Sequence, residues 1–322
     1  DLLAQDLGPF LVGLPMLALA AGLLRTRTLP DFVEQLMIPV LLVGLGITGF
    51  GLARELPEDL AAAVLGGLCL VLAGVVPRAW IRLLLGLAAA ASLTWALTLA
   101  LAPGHGAFTG DGQARVRAWV GLHGALVVWL LILRVQGRLP PGRAAAALAG
   151  ALEPIATGWL TAILVGLSLL SGMTLLVGAA LGPVGSEMAR ELGAHAGIPR
   201  TPAWVPVASG LLVLAGTLWG ARAWPGLRRP WILGVGMGMA ALAWLLPTLG
   251  AVWLTLMVTL TSARTRLAGL AALAGAWIIG SSYYQLQWTL AEKALGLAAI
   301  GLLLGALVWL GPWLGVARSG AS

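Results

Sequence analysis

Charge is what this sequence has least of. Only 10% of its 322 residues are Asp, Glu, Lys or Arg, whereas a soluble domain uses about a quarter to cover its surface. A chain so poor in charge cannot present a wetted exterior, which excludes a water-soluble globular fold. Cysteine is nearly absent too. The lone Cys69 has no disulfide partner and offers no Cys-based metal site, and its place inside an apolar run reads as packing. Metal-ligand spacings such as H-x-x-x-H, H-E-x-x-H or C-x-x-C do not occur, so neither a metal nor another cofactor is expected. The stretch "PGHGAFTGDGQARVR" at 103–117 is rich in glycine, but no Gly-Lys-Ser/Thr follows it, so it is not a phosphate cradle. Lysine occurs once, against 18 arginines. These arginines fall in the gaps between apolar runs and form no basic stripe with interleaved aromatics, so nucleic acid is not an expected partner despite a pI near 11.1.

What fills the chain is apolar: 60% of the residues, before 45 glycines are counted. The natural solvent of such a chain is the lipid bilayer, where every backbone N–H and C=O must be paired internally and only helices or closed barrels span. Barrel strands alternate in polarity over about ten residues. Here apolar runs continue for about twenty, the length that crosses ~30 Å of hydrocarbon as a helix. The expected fold class is therefore all-α, a polytopic transmembrane helical bundle forming a single domain over residues 1–322. Candidate spans lie at 9–24, 36–53, 60–76, 80–101, 118–133, 155–182, 204–220, 231–246, 249–263, 267–282 and 294–315, eleven in all within a range of ten to twelve. The stretch before Pro154 reads as a short interfacial helix or as the start of a longer tilted span. Because the chain starts at Asp1 rather than Met, some native N-terminal sequence is expected to be missing.

The basic residues set an orientation. Arg25, Arg27, Arg78, Arg82, Arg134, Arg138, Arg143, Arg222, Arg228, Arg229, Arg264, Arg266 and Arg318 occupy the odd-numbered gaps and the C-terminus, thirteen against six in the even-numbered gaps. The positive-inside rule then puts the N-terminus out and the C-terminus in. "GLRRP" precedes and "ARTR" follows the pair from 231 to 263, whose "PTLG" turn has no charge, as expected of a hairpin that crosses and returns.

Few residues remain as candidates for function. At the inner face, Asp31, Glu34 and Gln35 form a polar cluster in "LPDFVEQL", with Asp31 as an expected N-cap and Glu34 three residues on. "LPEDL" places Pro57, Glu58 and Asp59 in the first turn of the next helix. His123 is the one ionisable residue expected inside a span, a turn or two from its end, and it reads as a helix-to-helix hydrogen-bond partner rather than a proton relay. Hydroxyls such as Thr48, Thr161, Thr255 and Thr259 can bond to their own helix carbonyls. Glycine pairs four apart, among them Gly216 with Gly220 and Gly234 with Gly238, would permit close helix contacts.

The richest polar stretch is "SSYYQLQWTLAEKALGL" at 281–297, which gathers both tyrosines and the only lysine between two uncharged runs. On the expected topology it lies at the outer face. Tyr283, Tyr284 and Trp288 suit an aromatic anchor at headgroup level, and Thr289 with Glu292 a capping box for the final span. Gln285, Gln287 and Lys293 are not accounted for in that way. Tyr283, Tyr284, Gln285, Gln287, Trp288, Glu292 and Lys293 therefore stand as a candidate outer-face interaction surface.

Two segments carry a family resemblance. "DFVEQLMIPVLLVGLGI" at 31–47 resembles an F-x-E-Q-L segment, and "SSYYQLQWTLAEKALGLAAIGLLL" at 281–304 resembles the YY-x-L-x-x-T-L-x-x-K-S segment, of the bacterial polytopic membrane family known as domain of unknown function 4401. "LPTLGAVWL" at 246–254 is similar to the family's Pro-Gly-containing turn. Ala294 departs from the Ser that commonly follows the Lys, which argues against a catalytic Lys-Ser pair. The resemblance implies a multi-pass protein of the bacterial cytoplasmic membrane and a small membrane-anchored partner of the GDYxxLxY-motif type. It implies no activity.

Three functional expectations follow. The first is a non-enzymatic inner-membrane scaffold or receptor for an envelope partner. The alternatives are a transporter or channel for a small apolar or weakly polar solute, and an intramembrane lipid-modifying enzyme that uses Glu34, His123 or outer carboxylates.

Overall fold

A computed structural model of the chain describes residues 7–26, 30–101, 113–180, 202–225 and 230–285, together with positions 291, 294, 295, 298 and 302. Among the described residues it contains ten α-helices: α1 (Gly8–Arg25), α2 (Asp31–Glu55), α3 (Glu58–Val75), α4 (Ala79–Ala100), α5 (Gln113–Gln136), α6 (Arg143–Ala180), α7 (Trp204–Ala223), α8 (Pro230–Leu245), α9 (Leu249–Thr261) and α10 (Thr265–Gln285). No strand occurs among these residues. Each helix falls on an expected span. The eleventh expected span, 294–315, lies outside the described residues except for four helical positions.

Seven helices, α1 to α7, are long and apolar enough to cross a membrane. The stretch before Pro154 is the start of a longer helix: α6 runs unbroken for 38 residues, about 57 Å at 1.5 Å per residue. That exceeds the ~30 Å hydrocarbon core, so α6 is tilted or protrudes. At the other extreme, α9 has 13 residues, about 20 Å, shorter than the span expected at 249–263.

The chain divides into two compact units, one of Asp1–Leu170 with Val177–Arg200 and the other of Ser171–Leu176 with Thr201–Ser322. In the first unit, helices approach through small residues, as lipid-dissolved helices do when dispersion and shape replace a hydrophobic drive. Gly86 of α4 and Gly158 of α6 bring two backbones together. A Cβ on Gly86 would lie 2.5 Å from the Ile155 carbonyl oxygen, and one on Gly158 would fall on the Leu83 carbonyl oxygen. Trp159 Nε1 of α6 donates to the Ala125 carbonyl of α5 over 3.0 Å, and Arg115 of α5 donates to the Leu170 carbonyl over 3.0 Å. Around these contacts Trp129, Trp159, Leu160, Ile163 and Leu167 are buried.

In the second unit α7 packs against α8 and α9. Gly236 of α8 meets Thr217 and Gly210 of α7 meets Ala240, so α7 and α8 are antiparallel. Ser209 meets Gly250, Gly216 meets Leu254, and Trp219 Nε1 donates to Thr261 Oγ1 over 3.1 Å, so α7 and α9 are parallel. The chain therefore reverses between α8 and α9, at the uncharged "PTLG" turn. The expected glycine pair at 234 and 238 is corrected: among the described residues nothing lies within 4 Å of a Cβ at either, and Gly236 between them makes the contact instead. A four-residue spacing fixes one helix face but not which face packs.

Candidate functional site

The structure brings one member of the cluster Asp31, Glu34 and Gln35 to a distant partner. Pro30, not Asp31, is the N-cap of α2, and no side-chain cap bond is made there. The expected capping box is thus corrected: the Glu34 N–H is taken by the Pro30 carbonyl at 3.1 Å, and the Glu34 carboxylate turns to another helix. Its Oε2 accepts from Arg78 Nη2 at 2.6 Å. Asp31 and Gln35 are exposed and do not share this contact geometry. Asp31 and Glu34 still place negative charge in the first turn, where the helix dipole favours it.

Arg78 is the N-cap of α4. A bond between the first turn of α2 and the start of α4 puts both helix starts at one end, which two intervening crossings require. Arg82, one turn into α4, donates from Nε to the carbonyls of Ala73 and Val76 at 3.1 and 2.8 Å, tying in the C-terminus of α3. These last carbonyls of α3 have no partner within their own helix, so a cation there satisfies them and the dipole together. The Glu34–Arg78 pair is partly exposed, at 22% and 35%. A pair so placed contributes about 0–1 kcal/mol, and its value is positional.

One turn deeper from this pair a crevice opens between α2 and α4. Ile38, Leu41, Leu42 and Leu45 form one wall, Trp80, Ile81, Leu84, Leu85 and Ala88 the other, and Leu24 of α1 the floor. Its volume is about 40 Å³, and every lining residue is apolar. The sequence does place Glu34 and Arg78 at the same end, by counting spans. It does not show that the two meet.

His123 lies in α5 as expected, but its bonding differs from the expectation of a helix-to-helix partner. Its Nδ1 is 2.6 Å from the Trp119 carbonyl of the same helix, so Nδ1 carries the proton and donates. The ring stacks on Trp119 with centroids 3.6 Å apart. Nε2 is then a bare acceptor, buried with no hydrogen-bond partner among the described residues. The i, i+4 spacing of Trp119 and His123 favours this local bond over a reach to a neighbouring helix.

Of the outer-face candidates, Tyr283, Tyr284 and Gln285 belong to the last turn of α10. Gln287, Trp288, Glu292 and Lys293 lie outside the described residues, as does the expected Thr289–Glu292 capping box. Their mutual geometry therefore does not enter.

Several hydroxyls and indoles within the spans have internal partners, although the buried Nε1 of Trp129, like His123 Nε2, has none among the described residues. Thr48, Thr161, Thr255 and Thr259 donate to carbonyls of their own helices over 2.7–2.8 Å. Thr217 Oγ1 donates to the Val213 carbonyl and accepts from Trp253 Nε1, and Ser209 Oγ accepts from the Gly250 N–H at the start of α9. Sequence reasoning missed the tryptophan and Ser209 bonds, because they depend on which faces meet. Cys69 is free and buried. Among the described residues no three His, Cys, Asp or Glu side chains are grouped to hold a metal ion.

No curated protein and no solved structure matches the chain. A family model does. It is described as "Domain of unknown function (DUF4401)" and matches residues 1–313, nearly the whole chain. That match covers all seven helices that are long and apolar enough to cross a membrane, and the chain belongs to the domain of unknown function 4401 family, as a multi-pass membrane protein.

Proposed function

We propose that the protein is a non-enzymatic scaffold or receptor of the bacterial inner membrane, which holds an envelope partner at its outer face through Tyr283 to Lys293. The observation that supports this reading is the use made of polar groups inside the spans. Their hydroxyls, indoles and guanidinium groups bond to helix backbones and to neighbouring helices. Groups spent on packing do not line a path for a solute. The sequence meanwhile concentrates its tyrosines, its lysine and two adjacent-but-one glutamines within residues 283–293. Aromatic and long polar residues gathered in one stretch of sequence are the composition of a recognition surface.

The partner is a small membrane-anchored protein of the GDYxxLxY-motif type, and the test is co-purification. The full chain isolated in mild detergent brings down a stoichiometric second chain, and Tyr284→Ala or Gln287→Ala reduces its amount. Isolation as a solitary protein, with both variants indistinguishable from wild type in cells, defeats the proposal.

A second reading, the handling of an apolar solute or lipid by a transporter or an intramembrane enzyme, is favoured by the crevice between α2 and α4. It predicts that Glu34→Gln or His123→Ala abolishes movement or modification of that solute in vesicles.

A further inference from the structure

α7 measures the membrane for its neighbours. Its 20 residues rise about 30 Å, the thickness of the hydrocarbon core, so it crosses nearly upright. Exposed tryptophans stand at both of its ends, Trp204 in the first turn and Trp224 at the C-cap, where indoles settle among headgroups. Arg222 in the last turn marks the second end as the basic one. On that scale the next two helices fall short. α8 has 16 residues and α9 has 13, about 24 and 20 Å. α9 is fastened at the basic end, where Trp219 Nε1 donates to Thr261 Oγ1 in its last turn and Arg264 and Arg266 follow. Its deficit therefore lies at the Trp204 end. There the Gly250 N–H meets Ser209 Oγ at 3.2 Å, so α9 starts level with Ser209, about 7 Å inside Trp204. With Gly236 beside Thr217 and Ala240 beside Gly210, α8 ends with Leu245 level with positions 205–208 of α7, about 2–6 Å inside.

The turn between them suits a place without water. Its sequence, "LLPTLG" at 245–250, has no charge, and an unpaired backbone group in hydrocarbon is costly. The Leu246 N–H is bonded to the Leu242 carbonyl, the Leu249 N–H to the Leu246 carbonyl and the Gly250 N–H to Ser209, while Pro247 has no N–H to satisfy. Ser209, Thr248 and Leu249 are buried. Trp244 and Leu245, just before the turn, are left 54% and 75% exposed. Water penalises such apolar surface and acyl chains do not. We infer that α8 and α9 form a re-entrant hairpin, which enters and leaves at the basic end and turns among the acyl chains of the opposite leaflet, beneath its headgroups. Both ends stay on one side, so the parity of the crossings is unchanged. Of α8, α9 and α10 only α10 reaches the headgroups at the Trp204 end: its Gly275 lies beside Leu249 and Val252, and the helix continues to Gln285, about 15 Å further. The hairpin itself offers no surface to a partner in water on that side.

The test measures depth. Single cysteines replace Ala203, Val207, Leu245 and Ser262 in a Cys69→Ala background of the full chain, and each carries a nitroxide in phosphatidylcholine liposomes with a water-soluble nickel chelate on both sides. Power saturation of the nitroxide signal compares collisions with oxygen, which concentrates among acyl chains, with collisions with the chelate, which stays in water. All four positions are exposed or, at Val207, 43% exposed, so burial in protein does not shield them. Labels at 203 and 262 collide with the chelate. The label at 245 loses that contact and gains oxygen to the same extent as the label at 207, its neighbour in depth. Trp244→Cys serves in place of Leu245→Cys if that variant does not fold. Chelate contact at 245 equal to that at 203 puts the turn in water and overturns the inference, and so does protection from the chelate at 262, which would lift the hairpin off the basic end.

Discussion

Replacing Gly158 by alanine adds one carbon where two backbones already touch. In an open helix interior the same change is favourable by about 0.5–1 kcal/mol, because glycine loses more chain entropy on ordering. At Gly158 the new Cβ falls on the Leu83 carbonyl oxygen and lies 2.8 Å from the Leu87 nitrogen. Non-bonded carbons rest about 3.5–4.0 Å from their neighbours, so α4 must retreat by about 1 Å or more. Backbone cannot rotate aside as a side-chain tip can, and the retreat also loosens the reciprocal Gly86–Ile155 contact. Overpacking of this kind costs typically 1–3 kcal/mol, and the upper end applies, leaving a net loss of about 2 kcal/mol after the entropic gain. At roughly 2–4 °C per kcal/mol, the melting temperature of the purified protein in detergent should fall by roughly 4–8 °C. Gly46→Ala is the control, since nothing lies within 4 Å of a Cβ there. Thermal aggregation followed by size-exclusion chromatography reads both. Gly46→Ala should melt about 1–4 °C higher than wild type by the entropic gain alone; if Gly158→Ala also melts at or above wild type, the close approach of α4 and α6 is refuted.

Ser209→Ala removes the acceptor of the Gly250 N–H at the buried start of α9, and leaving that donor unpaired should cost about 1–3 kcal/mol, seen as a lower melting temperature. Ala263→Gly should act in the opposite direction. Ala263 closes α9 at φ 56 with the Arg264 N–H on the Thr259 carbonyl at 2.9 Å, a left-handed cap that glycine adopts without the ~1 kcal/mol side-chain penalty, so the variant should melt higher. The orientation is tested with single cysteines at 228 and 284 in a Cys69→Ala background: an impermeant maleimide applied to the outside of sealed right-side-out vesicles should label position 284 and spare 228. Labelling of both from one face contradicts the positive-inside assignment.

Much of the scaffold is legible in the sequence because the bilayer imposes one length on every span. A thickness of ~30 Å demands about twenty apolar residues whatever they pack against, so α1 to α7 and α10 fall where composition places them. Parity of the crossings is legible too, which is why Glu34 and Arg78 can be assigned to one end before any contact is known. The helix starts are less legible. Pro30 takes the cap that Asp31 suggested, since both residues suit the first turn and only backbone geometry separates them.

What the sequence by itself determined, then, is the solvent of this chain and the order and placement of its helices among the described residues. Tertiary structure decided which faces meet. In water a helix advertises its buried side by an apolar stripe, but in lipid all sides are apolar and the stripe vanishes. Nothing local therefore distinguishes Gly236, which meets Thr217, from Gly234 and Gly238, which have no such neighbour among the described residues. The same loss of phase hides the crevice between α2 and α4, whose apolar walls come together only in the tertiary structure.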